Sequence, residues 1–353
     1  MRRFRRLALA AGAAATLALP GGAAEPAASL RATASLGFDS NARRVFNSTR
    51  DEADAVGSAL LTAAARVSPG PLELSGSYVA AARKFAVHFS HDTLAQEAAA
   101  ELAIRPLGTV QVAVDGRIKD RRGGPRRYSD LQSALVLRWQ AVPELEVELH
   151  AGAHRFINRA DIAYSFSSPE AGGRVRYRFD RRHTLTLGGE LGHQRYNALA
   201  VVPPTNPDPA EVTREDGVLV ASAGYGYRGA FQFSAGYQYF DEDSNSHGQT
   251  LRFHRVDLAL GTPLPWNLLL FAQLTLQLGD YPDGISLAPM MTLSEDEERH
   301  SAFQLKLVRP LGERVDLELR YGVYANVLRQ TDGSQPELPY FRQVASVGLA
   351  ARM

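Results

Sequence analysis

The sequence predicts an all-β protein, a transmembrane antiparallel β-barrel of about sixteen strands with short periplasmic turns and longer extracellular loops. Three observations predict it. Apolar and polar residues alternate with a period of two along most of the chain. The connections between the alternating segments are by turns short and long. Past the first 24 residues, no apolar run reaches the roughly 18 residues that a membrane-spanning helix needs.

Residues 1–24 read as a cleavable secretory signal peptide. Arg2, Arg3, Arg5 and Arg6 form its charged start, Leu7 to Leu19 its apolar stretch, and Gly22, Ala23 and Ala24 its small-residue cleavage site. Paired arginines also fit the twin-arginine route, but a chain that folds in a membrane has to cross unfolded, so general secretion is expected. The barrel is expected to occupy residues 25–353. Without the four arginines of the leader, 39 basic residues fall to 35 against 38 acidic ones, a net charge of −3. That balance predicts no nucleic-acid partner. The chain has no cysteine, so it has neither a disulfide framework nor a lipid anchor on cysteine. With 45% hydrophobic residues and a mean hydropathy of −0.21, it fits a soluble all-β protein or a barrel whose apolar outer residues are diluted by polar lumen residues.

The alternation is plain in two neighbouring segments. Leu131, Leu135, Leu137 and Trp139 trade places with Asp130, Gln132 and Arg138, Val136 being the exception. Leu145, Val147, Leu149, Ala151 and Ala153 then alternate with Glu144, Glu146, Glu148, His150 and His154. Extended along the chain, the pattern places strands near 30–39, 57–67, 71–81, 92–104, 107–118, 128–140, 143–155 and 171–179. The second half adds strands near 183–196, 216–228, 230–240, 251–262, 266–279, 300–309, 313–327 and 340–353.

Between these segments, Ser68-Pro69-Gly70, Arg105-Pro106, Ala141-Val142, Asp180-Arg181-Arg182, Gly229, Pro263-Leu264-Pro265 and Pro310-Leu311-Gly312 are tight. The connections 40–56, 156–170, 197–215, 241–250, 280–299 and 328–339 are longer and mostly polar. This asymmetry, kept in phase, is that of an outer-membrane barrel, and no soluble sandwich requires it. In hydrocarbon every backbone N–H and C=O needs a partner, so the first and last strands must pair. Aromatic girdles are expected from Trp139, Tyr177, Phe179, Tyr225, Tyr227, Phe231, Phe233 and Trp266 at the short-turn ends, and from Phe38, Tyr196, Tyr239 and Tyr340 or Phe341 at the long-loop ends.

Sixteen strands leave an aqueous interior unless something fills it, and no segment is an obvious plug, although 197–215 or 280–299 could fold inward. The clearest lumen feature is a charge ladder. Glu144, Glu146 and Glu148 rise along one strand while Arg174, Arg176 and Arg178 descend the next, with indices summing to 322, which predicts the pairs Glu144–Arg178, Glu146–Arg176 and Glu148–Arg174. Arg138 lies on the other neighbour of the glutamate strand. Such pairs either stiffen and neutralise the wall or set up a transverse field for a passing solute. Asp115, Arg117, Glu190, Arg255, Asp257, Asp316, Glu318 and Arg320 are further expected channel-lining residues, Arg320 beside Lys306. The lumen reads as polar and nearly balanced.

No other motif carries chemistry. His88 and His91 lack a second ligand pair, so no metal is expected. Asp241-Glu242-Asp243-Ser244-Asn245 lacks the glycine and distal glutamate of a calcium loop. No G-x-S-x-G nucleophile elbow occurs, and neither a catalytic residue nor a cofactor is expected. Lys119, Arg121, Arg122, Arg126 and Arg127 form a basic cluster at an outward loop, within reach of lipopolysaccharide phosphates, and the acidic run Glu295 to Glu298 lies on another loop.

Three segments, LRATASLGFDSNARR (30–44), RPLGERVDLELRYG (309–322) and YFRQVASVGLAARM (340–353), resemble the opening strand, a periplasmic turn with its strand, and the closing strand of outer-membrane barrels associated with bacterial exopolysaccharide synthesis and export. Those barrels often carry a G-[YF]-D-S-N element. The resemblance implies a bacterial outer-membrane channel that exports a polysaccharide, with outer-membrane lipid, the barrel-assembly machinery, the polysaccharide and periplasmic export components as partners. It would place Tyr128, Gln132, Gln238, Gln273, Gln277 and Tyr324 against sugar units. Barrels of this kind commonly end in an aromatic residue, whereas this sequence ends in Met353. A general diffusion porin for small hydrophilic solutes and a barrel-anchored structural or adhesive surface protein are the alternatives.

Overall fold

The computed structural model describes residues 27–43, 52–124, 127–201, 212–280, 301–328 and 338–353; the expected signal peptide lies outside them. The first eight strands are β1 (Ala27–Asp39), β2 (Asp54–Val67), β3 (Leu72–Phe85), β4 (Thr93–Leu107), β5 (Val110–Arg122), β6 (Tyr128–Val142), β7 (Leu145–Asn158) and β8 (Phe166–Arg178). The remaining eight are β9 (His183–Leu199), β10 (Thr213–Arg228), β11 (Gln232–Ser244), β12 (Leu251–Leu264), β13 (Leu268–Asp280), β14 (Ser301–Pro310), β15 (Val315–Leu328) and β16 (Leu338–Arg352). Each strand pairs antiparallel with its sequence neighbours, and β16 pairs with β1, so the sheet is a closed sixteen-stranded barrel.

The period of two becomes two environments. On β1, Leu36 is 73% exposed on the outer face while Asp39 is 1% exposed on the inner one. Leu135, Leu149, Leu187 and Leu191 are likewise exposed, whereas Asp130, Glu148 and His154, of the opposite parity on β6 and β7, are buried. In water such exposed leucines would be a liability; in hydrocarbon they are matched to their solvent.

The short turns are closed by local chemistry. Gly70 holds a φ of 63°, which costs glycine little. Asp180 accepts the backbone N–H of Arg182 at 2.7 Å and of His183 at 2.8 Å. The Arg182 N–H foremost holds its carboxyl below the usual carboxylate range. Trp266 and Asn267 both carry left-handed φ values, 62° and 59°, in the three-residue connection between Leu264 and Leu268.

The strands overrun the expected ends, mainly on the long-loop side. β3 continues to Phe85, β5 to Arg122 and β7 to Asn158, while β8 starts at Phe166 rather than near 171. Pro169 sits within β8 on its outer face, and the β8–β9 ladder lapses at Ser168 and Pro169 without changing register, because proline has no N–H to donate. Of the expected girdle, Tyr177 and Phe179 touch edge to face at 5.0 Å, and Tyr227 and Phe231 lie 4.9 Å apart. Tyr196 departs from it: strand parity turns it inward, where its ring lies tilted against Phe166 at 5.1 Å. Of the alternatives Tyr340 and Phe341, Tyr340 is buried and Phe341 is the exposed one.

Candidate functional site

A chain of ion pairs crosses the inner wall from β4 to β8. Arg138 on β6 donates to both carboxylate oxygens of Glu101 on β4, at 2.9 and 2.7 Å, and through Nε to Glu148 on β7 at 3.0 Å. Arg174 on β8 donates to the same Glu148 at 2.8 Å. To reach β4, the Arg138 side chain must cross β5, where the inner position is Ala113. Ala103, Ala113, Ala134 and Val136 form a buried apolar layer of small side chains at this part of the wall. Small residues against the wall and long charged ones beside them form one construction, because an alanine leaves a neighbouring guanidinium room to lie flat.

The ladder has the predicted register: Glu146 faces Arg176 and Glu148 faces Arg174, with N–O distances of 3.0 and 2.8 Å. Its lowest rung differs. Glu144 lies in the turn before β7, and what joins it to Arg178 is a backbone bond, from the Arg178 N–H to the Glu144 carbonyl at 2.8 Å. Higher up, His154 lies between two carboxylates, 3.0 Å from Asp130 and 2.9 Å from Glu170, and His150 is 3.7 Å from Glu190. This histidine–carboxylate group was not predicted, although parity along β6, β7 and β8 puts all four of Asp130, His150, His154 and Glu170 on the inner face.

Arg117 pairs with Glu97 at 2.8 Å, and Asp115 stands opposite Glu101 and Ala134. On the far wall Arg255 binds Asp257 at 2.7 Å, and Thr275 donates to the same carboxylate at 2.6 Å. Glu318 gathers Arg31 at 2.5 Å, Lys306 at 2.8 Å and Arg320, while Asp316 takes Arg352 at 2.9 Å. At the long-loop mouth Arg214 is buried, binds Asp216 and Gln249, and lies over the Tyr196 ring at 4.1 Å. The segment 246–250 is tucked in beside it, with Ser246, Gln249 and Thr250 buried.

The basic cluster is not one surface. Because β5 runs on to Arg122, alternation divides it: Lys119 and Arg121 turn inward, Lys119 over the Tyr128 ring at 5.5 Å, while Arg122 is exposed and bound to Asp120 at 2.7 Å. Arg127 is exposed beyond the loop, and Arg126, like Glu295 to Glu298, lies outside the described residues. His88 binds Asp54 at 3.2 Å, Asp241 takes Arg252 at 2.9 Å, and Asn245 donates to the Thr213 carbonyl at 3.0 Å.

The G-F-D-S-N element also has a structural role. Arg342 donates to Asp39 at 2.9 and 2.6 Å, both residues being 1% exposed, and Asn41 reaches the Phe341 carbonyl at 3.3 Å. The Ser40 N–H donates to the Gln343 carbonyl at 2.9 Å, and the Gln343 N–H to Ser40 Oγ at 2.8 Å. Below them, a Cβ on Gly348 would sit 2.6 Å from the Ala34 carbonyl oxygen, so glycine permits the strands' close approach there. Two of the segments that resemble exopolysaccharide barrels are therefore clasped to each other, closing the sheet.

No family model matches the chain, and no curated protein matches it in sequence. Its backbone resembles the anion-selective porin from Comamonas acidovorans, with a TM-score of 0.52 at 9% identity over 93% of this chain and 100% of that one. Pseudomonas aeruginosa OpdQ matches with a TM-score of 0.48 at 8% identity, over 94% of this chain and 99% of that one. Pseudomonas aeruginosa OccK2 (OpdF), solved in complex with glucuronate, matches at 0.44 and 12% identity, over 93% and 96%. The chain has the fold of an outer-membrane porin, and at these identities the likeness is one of fold. Nothing in the structure or the comparisons ties it to exopolysaccharide synthesis.

Proposed function

We propose that this protein resides in the bacterial outer membrane and is a passive channel for small hydrophilic solutes. The observation that carries the reading is the inner wall: its arginines and carboxylates satisfy one another along the wall, as Glu101, Arg138, Glu148 and Arg174 do, instead of converging on a reacting centre. A wall of matched ion pairs stays hydrated and charged while holding its groups to the perimeter, which suits diffusion of polar solutes. Sixteen strands are wide enough for such a path. Two of the three segments that resemble exopolysaccharide barrels, 30–44 and 340–353, are engaged in closing the barrel, a role that favours export no more than diffusion.

The reading is tested by reconstitution. Planar bilayers with the refolded chain should show stepwise ion conductance, and liposomes should swell in monosaccharide but not in long polysaccharide. Silent bilayers together with unswollen liposomes would contradict it.

A further inference from the structure

The outer face of the extracellular rim carries charges of its own, and they are unevenly matched. Arg195 faces Glu215 at 2.9 Å, and Arg252 faces Asp241 at 2.9 Å, one carboxylate to each arginine. At β5–β7 the balance differs. Asp120 on the outer face of β5 is shared by Arg122 at 2.7 Å and Arg159 at 2.9 Å, and Ser129 donates to it at 2.8 Å. Arg159 also donates to Ser129 at 2.7 Å and, through its backbone N–H, to the Arg127 carbonyl at 2.7 Å. Arg155 stands lower on the outer face of β7, between Leu131 and Ser167, exposed and without an ion-pair partner among the described residues. Four exposed arginines therefore stand along this stretch of the rim, and Asp120 pairs with two of them, Arg122 and Arg159.

Directly below them the surface is apolar: Ile118, Leu131, Val114, Leu135 and Leu137 are 38–57% exposed on the same outer face. Excess cations above a hydrocarbon-facing wall match an amphiphile with a phosphate head and acyl tails. Guanidinium binds phosphate in a two-pronged fashion, and the network through Asp120 and Ser129 holds two of the four guanidiniums in place.

We propose that Arg122, Arg127, Arg155 and Arg159 bind the phosphate groups of a lipid in the outer leaflet. This rests on the membrane setting of the barrel and is independent of transport. Refolded full-length protein is incubated with lipid A or with the same lipid stripped of phosphate, and lipid retained per barrel is counted by native mass spectrometry. Wild-type protein should retain the phosphorylated lipid about tenfold better, and the combined Arg122→Gln, Arg155→Gln and Arg159→Gln variant should lose that preference. Arg155→Gln alone, which breaks no ion pair among the described residues, should lose about half of it on a logarithmic scale, and it stands in if the triple variant does not fold. Arg195→Gln should leave retention unchanged. Equal retention of both lipids by the wild type, or unaltered preference in the folded variants, would overturn the proposal. Displacement of the lipid by millimolar inorganic phosphate would also overturn it, since the site would then be one for free anions. Conductance measured on the same samples separates this outcome from the failure of the channel reading.

Discussion

The closure seam and the β7–β8 ladder are both built from arginine and carboxylate, yet they are different structures. In the ladder, Arg174 and Arg176 are about a third exposed, and their partners lie one hairpin away in sequence. At the seam Arg342 and Asp39 are each 1% exposed, and 303 positions separate them. A pair left in water gains little, since hydration already satisfies both charges. A pair removed from water gives little net stability either, but leaves a stranded charge when one partner is lost. The ladder thus sets the polarity of the wall, whereas the seam makes closure conditional on both partners being present.

The largest expected effect follows from that contrast. Arg342→Met strands the Asp39 carboxylate and should cost about 3–5 kcal/mol, read as a drop in the urea midpoint of the heat-modifiable gel form. Adding Asp39→Leu should recover much of the loss, since the pair then goes together, and failure to recover would mean that Arg342 acts through something other than Asp39. Next comes Ala151→Arg, on the outer face of β7 between Leu135 and Ala171, expected to cost about 2–4 kcal/mol near mid-membrane. Gly348→Ala, crowding the Ala34 carbonyl, should cost about 1–3 kcal/mol. The smallest effect is expected for Glu146→Gln on the inner face of the same strand as Ala151, at about 0.2–1 kcal/mol. Equal costs for Ala151→Arg and Glu146→Gln would refute the assigned faces.

The same contrast explains what could be read from the residues alone. Glu146 and Arg176 are legible because β7 and β8 are consecutive antiparallel strands, and a constant index sum names the Glu146 and Glu148 rungs. Asp39 and Arg342 were visible only as parts of a resemblance, because their meeting depends on the closure of the whole ribbon. The charge density around Lys119 and Arg121 suggests a loop, yet the β4–β6 ladder carries strand geometry through them and turns both side chains inward. The position of Tyr196 in the chain suggests a girdle residue, and its parity on β9 turns it inward instead. Where geometry is local, period and register suffice; where an element's end decides the face, composition misleads.

The central claim is that every strand shows one face to water and the other to lipid. The chain contains no cysteine, so single cysteines at 145–151 on β7 can be scanned without background. In reconstituted vesicles a membrane-impermeant thiol reagent should label positions 146, 148 and 150 and spare 145, 147, 149 and 151. Uniform labelling, or labelling confined to the odd positions, would contradict the account.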